Sequence, residues 1–279
     1  MSFDVSHKSI RELVHRALDE DIGSGDITTE LTVARDRRAT GAFFAREPMV
    51  LAGVELLPLI YEAQGGVESI EIHRLSGSNL IAGVKIADVR GPARTLLTCE
   101  RVALNFMQRL SGIATLASWY VSSMEGTKCQ VLDTRKTTPG LRRLEKMAAA
   151  AGGATNHRIG LYDAVLIKNN HIVAAGGVRA ALKAVQDAGM PAEIEVRTRE
   201  ELDEALACGA KHLLLDNLTP EEAAEWIRVV GGRATVELSG GVMLETARAY
   251  AETGADFISV GAITHSASAV DINFRLELV

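Results

Sequence analysis

The second half of the chain alternates short apolar runs with segments of helical periodicity. The apolar runs, which begin after about residue 112, read CQVLDT, DAVLIKN, AEIEVRT, KHLLLDN, ATVELSG and DFISVGA. The intervening segments include GGVRAALKAVQDAG, TREELDEALACG, TPEEAAEWIRVVG and MLETARAYAETG. Nearly continuous apolar strands that alternate with helices are typical of βαβ units and a parallel sheet. This half therefore predicts an α/β fold, either an open doubly wound sheet or a barrel.

The strands of this half end in polar residues or glycine, and that feature favours the barrel. The strand-end residues are Thr134, Arg135, Lys136, Lys168, Glu195, Asp216, Ser239, Gly240, Gly241 and Gly261. In a barrel the carboxyl ends of all strands converge on one mouth, where the active site lies. An open sheet gathers its site near a switch point and uses fewer strands. Six strands with such ends therefore predict a TIM-like barrel, although six fall short of the usual eight.

The first half of the chain has a different pattern. Apolar residues at helical spacing in SIRELVHRALDEDIG predict an amphipathic helix rather than the continuous apolar core of a signal peptide. The run VESIEIHRL alternates with period two, as an antiparallel strand does. No apolar run is long enough to span a membrane. The first half is therefore predicted to be an α+β domain with antiparallel strands.

Composition narrows the class of partner. The chain has 279 residues, of which 47% are hydrophobic and 24% charged, as in an ordinary globular protein. A formal net charge of −6 and a pI near 5.7 give no basis for nucleic acid or an anionic membrane as the main partner. Cys99, Cys129 and Cys208 are odd in number and lack metal-ligand spacing, so we expect reduced thiols and a cytoplasmic location.

Residues 133–171 reverse the charge of the rest of the chain. They carry seven Lys or Arg side chains against three Asp or Glu, a local net charge of +4. Such a reversal concentrates anionic ligands in a cleft. The cations predicted to line this cleft, at the strand ends, are Arg135, Lys136 and Lys168. Those predicted to lie on an exposed helix face, in GLRRLEKMAAAA, are Arg142, Arg143 and Lys146.

A histidine and an arginine follow the next glycine pair, in GGATNHRIG. Arg158 has the planar guanidinium suited to bidentate recognition of carboxylate or phosphate. His157 stands beside it in the sequence. Together with Arg135 and Lys136, this pair indicates a site for more than one anionic group.

Two strand-end acids, Glu195 and Asp216, oppose these cations. Carboxylates in a cationic site can hold a divalent metal, accept hydrogen bonds from sugar hydroxyls or form structural salt bridges, and the pattern leaves all three open. Magnesium takes one or two carboxylates and shares substrate phosphate oxygens, so a phosphorylated sugar would use both signs of charge. Period two places Glu193 on the same strand face as Glu195.

The last two strands end in the glycine-containing segments ELSGGV and SVGAITHS. Small residues there allow backbone N–H groups to approach a phosphate, and the late loops of a barrel are a common phosphate site. Neither segment is a Walker loop or a GxGxxG fingerprint, so a nucleoside triphosphate or a dinucleotide is not indicated. No activated nucleophile is evident, which predicts catalysis by positioning and electrostatics.

The sequence resembles the quinolinate phosphoribosyltransferase family nearly from end to end. The motifs that carry the resemblance are EDIGSGDITTE, ERVALNFMQRLSGIAT, LDTRKTTPGLRRLEK, GGATNHRIGLYDAVLIKNNHI, EIEV, LLLDN, ELSGGV and ISVGAITHS. The resemblance implies an N-terminal α/β sandwich domain over residues 1–111, completed by the tail 267–279, and an incomplete TIM-like α/β barrel of about seven strands over residues 112–266.

The resemblance also implies a reaction. Phosphoribosyl pyrophosphate and quinolinate would give nicotinate mononucleotide, pyrophosphate and CO₂, with Mg²⁺ as cofactor, as a step of NAD synthesis. Arg135, His157 and Arg158 would bind the two quinolinate carboxylates. Lys136 and Lys168 would face the substrate and the phosphates. The implied substrate-binding residues in this part of the site are Thr134, Arg135, Lys136, His157, Arg158 and Lys168.

The sugar side of the implied site uses the acids and the late loops. Glu195 and Asp216 would hold Mg²⁺ and the ribose hydroxyls, and with Lys136 they form the predicted catalytic set. The residues implied to bind the 5′-phosphate are Ser239, Gly240, Gly241, Val260, Gly261 and Ala262.

The family pattern further implies a homodimer whose active sites are shared. Arg101, in CERVALNF, would reach into the site of the neighbouring subunit. Two positions depart from the pattern, because Arg197 and Asn169 stand where relatives usually have acids. The alternatives to the quinolinate reaction are a related phosphoribosyltransferase with a different acceptor and a non-catalytic phosphate-binding barrel.

Overall fold

The structure is a computed structural model that describes residues 3–279. In chain order its helices and strands are α1 (Lys8–Ile22), α2 (Ile27–Thr32), β1 (Arg38–Ala45), β2 (Met49–Val50), α3 (Leu57–Ala63), β3 (Ser69–Ile72), β4 (Asn79–Leu80), β5 (Lys85–Pro92), α4 (Ala93–Ser123), β6 (Gln130–Leu132), α5 (Arg142–Ala151), β7 (Val165–Ile167), α6 (Asn169–Ala175), α7 (Val178–Asp187), β8 (Ala192–Val196), α8 (Arg199–Ala207), β9 (His212–Asp216), α9 (Pro220–Val230), β10 (Thr235–Ser239), α10 (Leu244–Ala251), β11 (Phe257–Ser259), α11 (Ala262–His265) and β12 (Ile272–Leu278).

The chain forms two compact units. The first comprises the described residues up to Ser118, together with Thr137–Gly153 and Ile263–Val279, and the second comprises Trp119–Lys136 and Ala154–Ala262. Helix α5 therefore belongs to the first unit, although the sequence places it within the predicted barrel domain. The predicted domain boundaries at residues 111 and 266 stay a prediction.

The first unit contains an antiparallel sheet with strand order β12-β1-β5-β3. Alternate residues of β1 are buried, which gives the sheet one apolar face. The C-terminal strand β12 pairs with β1 along its length, and the rings of Phe43 and Phe274 lie 4.8 Å apart. A Cβ atom at Gly41 would lie 2.0 Å from the Phe274 ring, so this close pairing requires glycine there. The antiparallel α+β pattern predicted for this half is confirmed.

Helix α5 is embedded in the first unit through a buried ion pair. Glu145 is fully buried, and its Oε1 lies 3.0 Å from Nη2 of Arg109. The same carboxylate accepts hydrogen bonds from the backbone N–H and the hydroxyl of Thr138. Lys146 is only 3% exposed, so the prediction that it lies on an exposed helix face is wrong. The reason is that α5 buries more than one stripe of its surface, including the polar residues that follow Leu144.

The second unit contains a parallel sheet of six strands in the order β6-β11-β10-β9-β8-β7. These are the six strands read from the sequence, and a TIM-like α/β arrangement is confirmed. The resemblance implied about seven strands. Beyond the six, the described residues show one isolated parallel bridge, between Leu132 and Thr155.

The two faces of this sheet differ in chemistry. Ile194, Leu213 and Leu238 are nearly inaccessible, as apolar residues packed against covering helices are. Residues one position away point to the opposite face, which therefore carries the polar side chains of β8, β9 and β10. None of the helices in the described part of the chain is long and apolar enough to cross a membrane.

Candidate active site

The predicted site residues, Arg101 excepted, lie in the second unit. His157 and Arg158 precede β7 and follow Thr155, which bridges to Leu132 of β6. All but these two lie at or after the carboxyl ends of the unit's strands. Parallel pairing aligns these ends: Ser239 on β10 is in register with Asp216 on β9, and Val196 on β8 with Leu215. Lys168 directly follows β7, and Thr134 to Lys136 follow β6 after a single residue. The sheet thus carries the predicted strand-end side chains to one edge.

The two strand-end acids lie within one cluster of charges. Glu195 has a side chain only 6% exposed, and its Oε1 lies 2.9 Å from Nη2 of Arg197. The same Arg197 nitrogen lies 3.7 Å from Oδ2 of Asp216. Lys168 contributes a second cation, with Nζ 4.0 Å from Oε2 of Glu195. The acids predicted to hold a metal are therefore together, and a guanidinium already contacts both of them.

The pKa of Asp216 is shifted by burial and by the charges that surround it. Burial raises the pKa of Asp216, and repulsion from the nearby Glu195 carboxylate raises it further. The positive charges of Arg197, Lys168 and Lys136 oppose this rise in the pKa. Lys136 is thus close enough to the carboxylate pair to act on its charge.

A buried aspartate links the two cationic motifs of the sequence. Asp133 is fully buried at the end of β6, where its carboxylate accepts hydrogen bonds from the backbone N–H of His157 at 2.9 Å and from Nδ2 of Asn156 at 2.6 Å. Its own backbone N–H donates to the carbonyl of Thr155 at 3.1 Å. A buried carboxylate is stable only when it is hydrogen-bonded. Asp133 therefore fixes the segment that precedes Arg158 against the segment that carries the strand-end cations.

The imidazole of His157 is held by protein groups on both of its nitrogens. Nδ1 accepts a hydrogen bond from the backbone N–H of Arg158 at 2.6 Å. Nε2 lies 3.4 Å from Oε2 of Glu193 and 3.5 Å from Oε2 of Glu237. Because Nδ1 acts as an acceptor and Nε2 faces carboxyl oxygens, the ring proton belongs on Nε2. The contact of His157 with a substrate carboxylate stays a prediction.

Glu237, whose carboxylate lies near His157, was not predicted as a site residue from the sequence. It is 3% exposed, and burial, with added repulsion from Glu193, raises its pKa to about 8. The signal was present in the pattern, because Glu237 precedes Ser239 on β10 by two residues, as Glu193 precedes Glu195 on β8. Three polar groups, from Glu193, Glu237 and His157, thus lie together on the polar face of the sheet.

Arg158 lies near a second guanidinium. Burial and the proximity of Arg135 both lower the pKa of Arg158, in that order of importance. Its Nη1 donates to the carbonyl of Ala164 at 2.9 Å, which holds the side chain in place. Two half-buried guanidinium groups thus lie near each other, an arrangement suited to an anionic ligand, although Glu193 and Asp163 offset part of their charge.

The loop after β10 has the open backbone expected of a phosphate site. Gly240 and Gly241 have φ values of +92° and +66°. A Cβ atom at Gly240 would lie 2.1 Å from Oδ1 of Asn217, so glycine is required there for conformation and for space. The residue after neighbouring β11, Val260, donates its backbone N–H to the carbonyl of Leu132 at 2.9 Å. Phosphate binding by these loops and by Gly261 and Ala262 stays a prediction.

Two of the remaining residues singled out in the sequence are placed as follows. Arg101 lies on α4 in the first unit with its side chain 68% exposed, 3.8 Å from the carboxylate of Glu100. Its contribution to a neighbouring subunit's site stays a prediction. Asn169 is the first residue of α6 and is half-buried.

This combination of a TIM-like α/β fold, neighbouring guanidinium groups, paired carboxylates and glycine-rich strand-end loops is typical of barrel enzymes whose active site lies at the carboxyl ends of the strands. Family models identify the chain more closely. Residues 26–111 match the N-terminal domain of quinolinate phosphoribosyl transferase, and residues 113–275 match its C-terminal domain. The chain therefore belongs to the quinolinate phosphoribosyltransferase family.

Individual relatives agree with this assignment. The chain is 42% identical to nicotinate-nucleotide pyrophosphorylase [carboxylating] of Mycobacterium leprae, over 99% of this chain and 100% of the relative. It is 39% identical to the probable enzyme of the same name from Bacillus subtilis, over 98% and 96%. Its fold matches the solved nicotinate-nucleotide pyrophosphorylase of Francisella tularensis with a TM-score of 0.91 and 37% identity, covering 99% of each chain.

Proposed function

We propose that this protein transfers a phosphoribosyl group from phosphoribosyl pyrophosphate to the ring nitrogen of quinolinate and releases the 2-carboxylate as CO₂. The products are nicotinate mononucleotide and pyrophosphate, and the reaction is a step of NAD synthesis. The observation that carries the proposal is the pair of neighbouring guanidinium groups, Arg135 and Arg158, near Glu193 of β8, the strand that also bears Glu195. Membership of the family and the intact TRKTTPGLR and NHR segments support it.

The acceptor is oriented by charge. Quinolinate has two adjacent carboxylates, and Arg135 and Arg158 each offer a fork of N–H donors suited to one of them. The pKa of Arg158 is lowered by burial and then by repulsion from Arg135, and binding of both carboxylates would relieve that repulsion. A ring fixed at both carboxylates presents its nitrogen in one direction, which lowers the entropic part of the barrier to attack on the ribose.

The bond changes need no protein nucleophile. The bond from the anomeric carbon to pyrophosphate breaks, and the lone pair of the ring nitrogen forms the new bond to that carbon. The resulting pyridinium ring accepts the electron pair released when the bond to the 2-carboxylate breaks, and a proton from solvent then replaces CO₂. Positive charge on the ribose during the first step is stabilised by the nearby carboxylates of Glu195 and Asp216.

Glu195 and Asp216 fit a hard divalent cation. Both are carboxylates with low exposure, and the pKa of Asp216 is raised first by burial and then by repulsion from Glu195. Mg²⁺ binds one or two such carboxylates and shares phosphate oxygens of the substrate. When bound, it would neutralise the charge of the leaving pyrophosphate. Lys136 and Lys168 add positive charge on the same side.

The 5′-phosphate of the sugar and the neighbouring subunit complete the proposed site. The 5′-phosphate would lie against the backbone of Ser239–Gly241 and Val260–Ala262, where the positive φ values of Gly240 and Gly241 form a tight turn without side chains. The active unit would be a cytoplasmic homodimer in which Arg101 completes the neighbouring site.

A direct assay tests the proposal. The protein is mixed with phosphoribosyl pyrophosphate, Mg²⁺ and either quinolinate or nicotinate, and nicotinate mononucleotide is measured. We expect product from quinolinate. Product from nicotinate alone would assign a different acceptor, and no product from either would support a non-catalytic barrel.

A further inference from the structure

Arg197 already occupies the space between the two carboxylates that would hold the metal. Its Nε and Nη2 atoms lie 3.1 Å and 2.9 Å from Oε1 of Glu195, and Nη2 lies 3.7 Å from Oδ2 of Asp216. A single guanidinium thus contacts both acids.

The guanidinium reaches this position from the surface. The Arg197 side chain is 48% exposed, whereas the side chains of Glu195 and Asp216 are 6% and 15% exposed. The backbone is fixed independently, because the Arg197 N–H donates to Oε2 of Glu201 at 2.7 Å at the start of α8. The side chain can therefore leave the carboxylates by rotation about its own bonds, without movement of the strand or the helix.

A cation in this position opposes the binding of another. A guanidinium within about 4 Å of a carboxylate neutralises part of the charge that would attract a divalent metal, and it repels the metal directly. Pyrophosphate changes this balance, since its oxygens attract both the metal and the guanidinium, and arginine binds phosphate bidentately.

We propose that Arg197 is a resident cation that competes with Mg²⁺ for Glu195 and Asp216, so that metal binds this pair tightly only when pyrophosphate is present to accept the guanidinium. The inference rests on the proposed function, which brings the metal and pyrophosphate to the same site. It makes Arg197 a determinant of binding order: the metal enters with phosphoribosyl pyrophosphate rather than before it.

The test measures the affinity of the protein for two ligands, and replacing Arg197 should change these two affinities in opposite directions. Mn²⁺ serves as the probe metal, and its binding to the substrate-free protein is followed by loss of the electron paramagnetic resonance signal of the free ion. Inorganic pyrophosphate is titrated separately into the metal-free protein by calorimetry. Arg197→Ala is expected to bind Mn²⁺ at least about tenfold more tightly than the parent, because a like charge has been removed from close range. The same variant is expected to bind pyrophosphate several-fold more weakly.

Control variants test whether the change in Mn²⁺ affinity depends on the charge at position 197 and on Asp216. Arg199→Ala removes a nearby arginine that pairs with Asp203, and it should leave both affinities unchanged. Arg197→Lys keeps the charge and should bind Mn²⁺ much as the parent does. Adding Asp216→Asn to Arg197→Ala should abolish the gain in Mn²⁺ affinity. General damage to the site would weaken both ligands together, and thermal unfolding of each variant checks that it is folded. If Arg197→Ala does not fold, Arg197→Gln takes its place.

Equal Mn²⁺ affinity in the parent and Arg197→Ala would overturn the inference, and so would a loss of affinity for both ligands. Neither result would affect the proposed function if quinolinate is still converted. Conversely, tighter Mn²⁺ binding by Arg197→Ala in a protein that does not convert quinolinate would support the resident cation and reject the proposed function.

Discussion

Replacement of Asp133 by asparagine tests the idea that one buried carboxylate holds the two cationic motifs together. The carboxylate accepts from the His157 N–H and the Asn156 amide at 2.9 Å and 2.6 Å, and it is fully buried. Asparagine has one acceptor oxygen, so one of these donors would face an amide NH₂ group. Hydrogen bonds to charged groups are worth about 1.5–3 kcal/mol each, and a buried unsatisfied donor costs about 1–3 kcal/mol. We therefore expect Asp133→Asn to lower the free energy of unfolding by roughly 2–4 kcal/mol.

The same change should act on the acceptor more than on the sugar phosphate. Arg158 directly follows the segment that Asp133 fixes, and a displacement of about 1 Å in a positioning residue can lower a rate on the order of 100-fold. The KM for quinolinate is expected to rise, and kcat to fall, with a much smaller change in the KM for phosphoribosyl pyrophosphate.

Urea unfolding measures the first effect, and initial rates at varied concentrations of each substrate measure the second. Asp163→Asn is the matched control, since that exposed carboxylate also accepts a backbone N–H in the same segment, from Ile159 at 2.8 Å, and its loss should cost less than about 1 kcal/mol. The reasoning about Asp133 is refuted if Asp133→Asn unfolds at the same urea concentration as the parent and keeps its KM for quinolinate.

Three further predictions concern the acceptor, the dimer and the buried acid. Arg135→Ala should weaken quinolinate binding far more than phosphoribosyl pyrophosphate binding in calorimetric titrations, and equal losses would contradict its role at the carboxylates. Mixed dimers of Arg101→Ala and Lys136→Ala subunits should regain partial activity in the quinolinate assay, whereas hybrids as inactive as both parents would reject the shared site. Since the folded state raises the pKa of Glu237 to about 8, above its unfolded value, the stability it contributes is present at low pH and is lost as the pH rises towards 8. The unfolding free energy should therefore fall from pH 5 to 8 by at most about 1.4 kcal/mol per pH unit from this group, and a slope that persists in Glu237→Gln would show that another group is responsible.

The architecture of the second unit was predictable because its signal is local. Each apolar run of four to six residues, followed by a helical period, specifies a strand and its covering helix without knowledge of distant contacts. Polar strand ends then identify the edge of the sheet that carries the candidate active site, since parallel strands place their carboxyl ends at the same edge. For this reason Lys168, Glu195 and Asp216 could be grouped from sequence. In the structure Lys168 lies 4.0 Å from Glu195, and Arg197 contacts both acids.

The burial of individual side chains, and the partners that they contact, could not be predicted from local pattern in the same way. Lys146 lies in a run that resembles an exposed helix face, but α5 is buried by residues that are remote in sequence. Asp133 appears in the sequence as one acid among cations. Its hydrogen bonds are to residues more than 20 positions further along the chain, which the local pattern does not indicate. Arg197 could be recognised as a departure from the family pattern, but its contact with both carboxylates depends on the lateral packing of β8 and β9.

The central claim is that quinolinate is the acceptor and loses its 2-carboxylate on this protein. It is tested most directly with quinolinate labelled with carbon-13 at that carboxylate, incubated with the protein, phosphoribosyl pyrophosphate and Mg²⁺. The account predicts that labelled CO₂ appears in equal amount to unlabelled nicotinate mononucleotide, and only when phosphoribosyl pyrophosphate is present. Label that remains in quinolinate while added nicotinate is converted to the mononucleotide would contradict it.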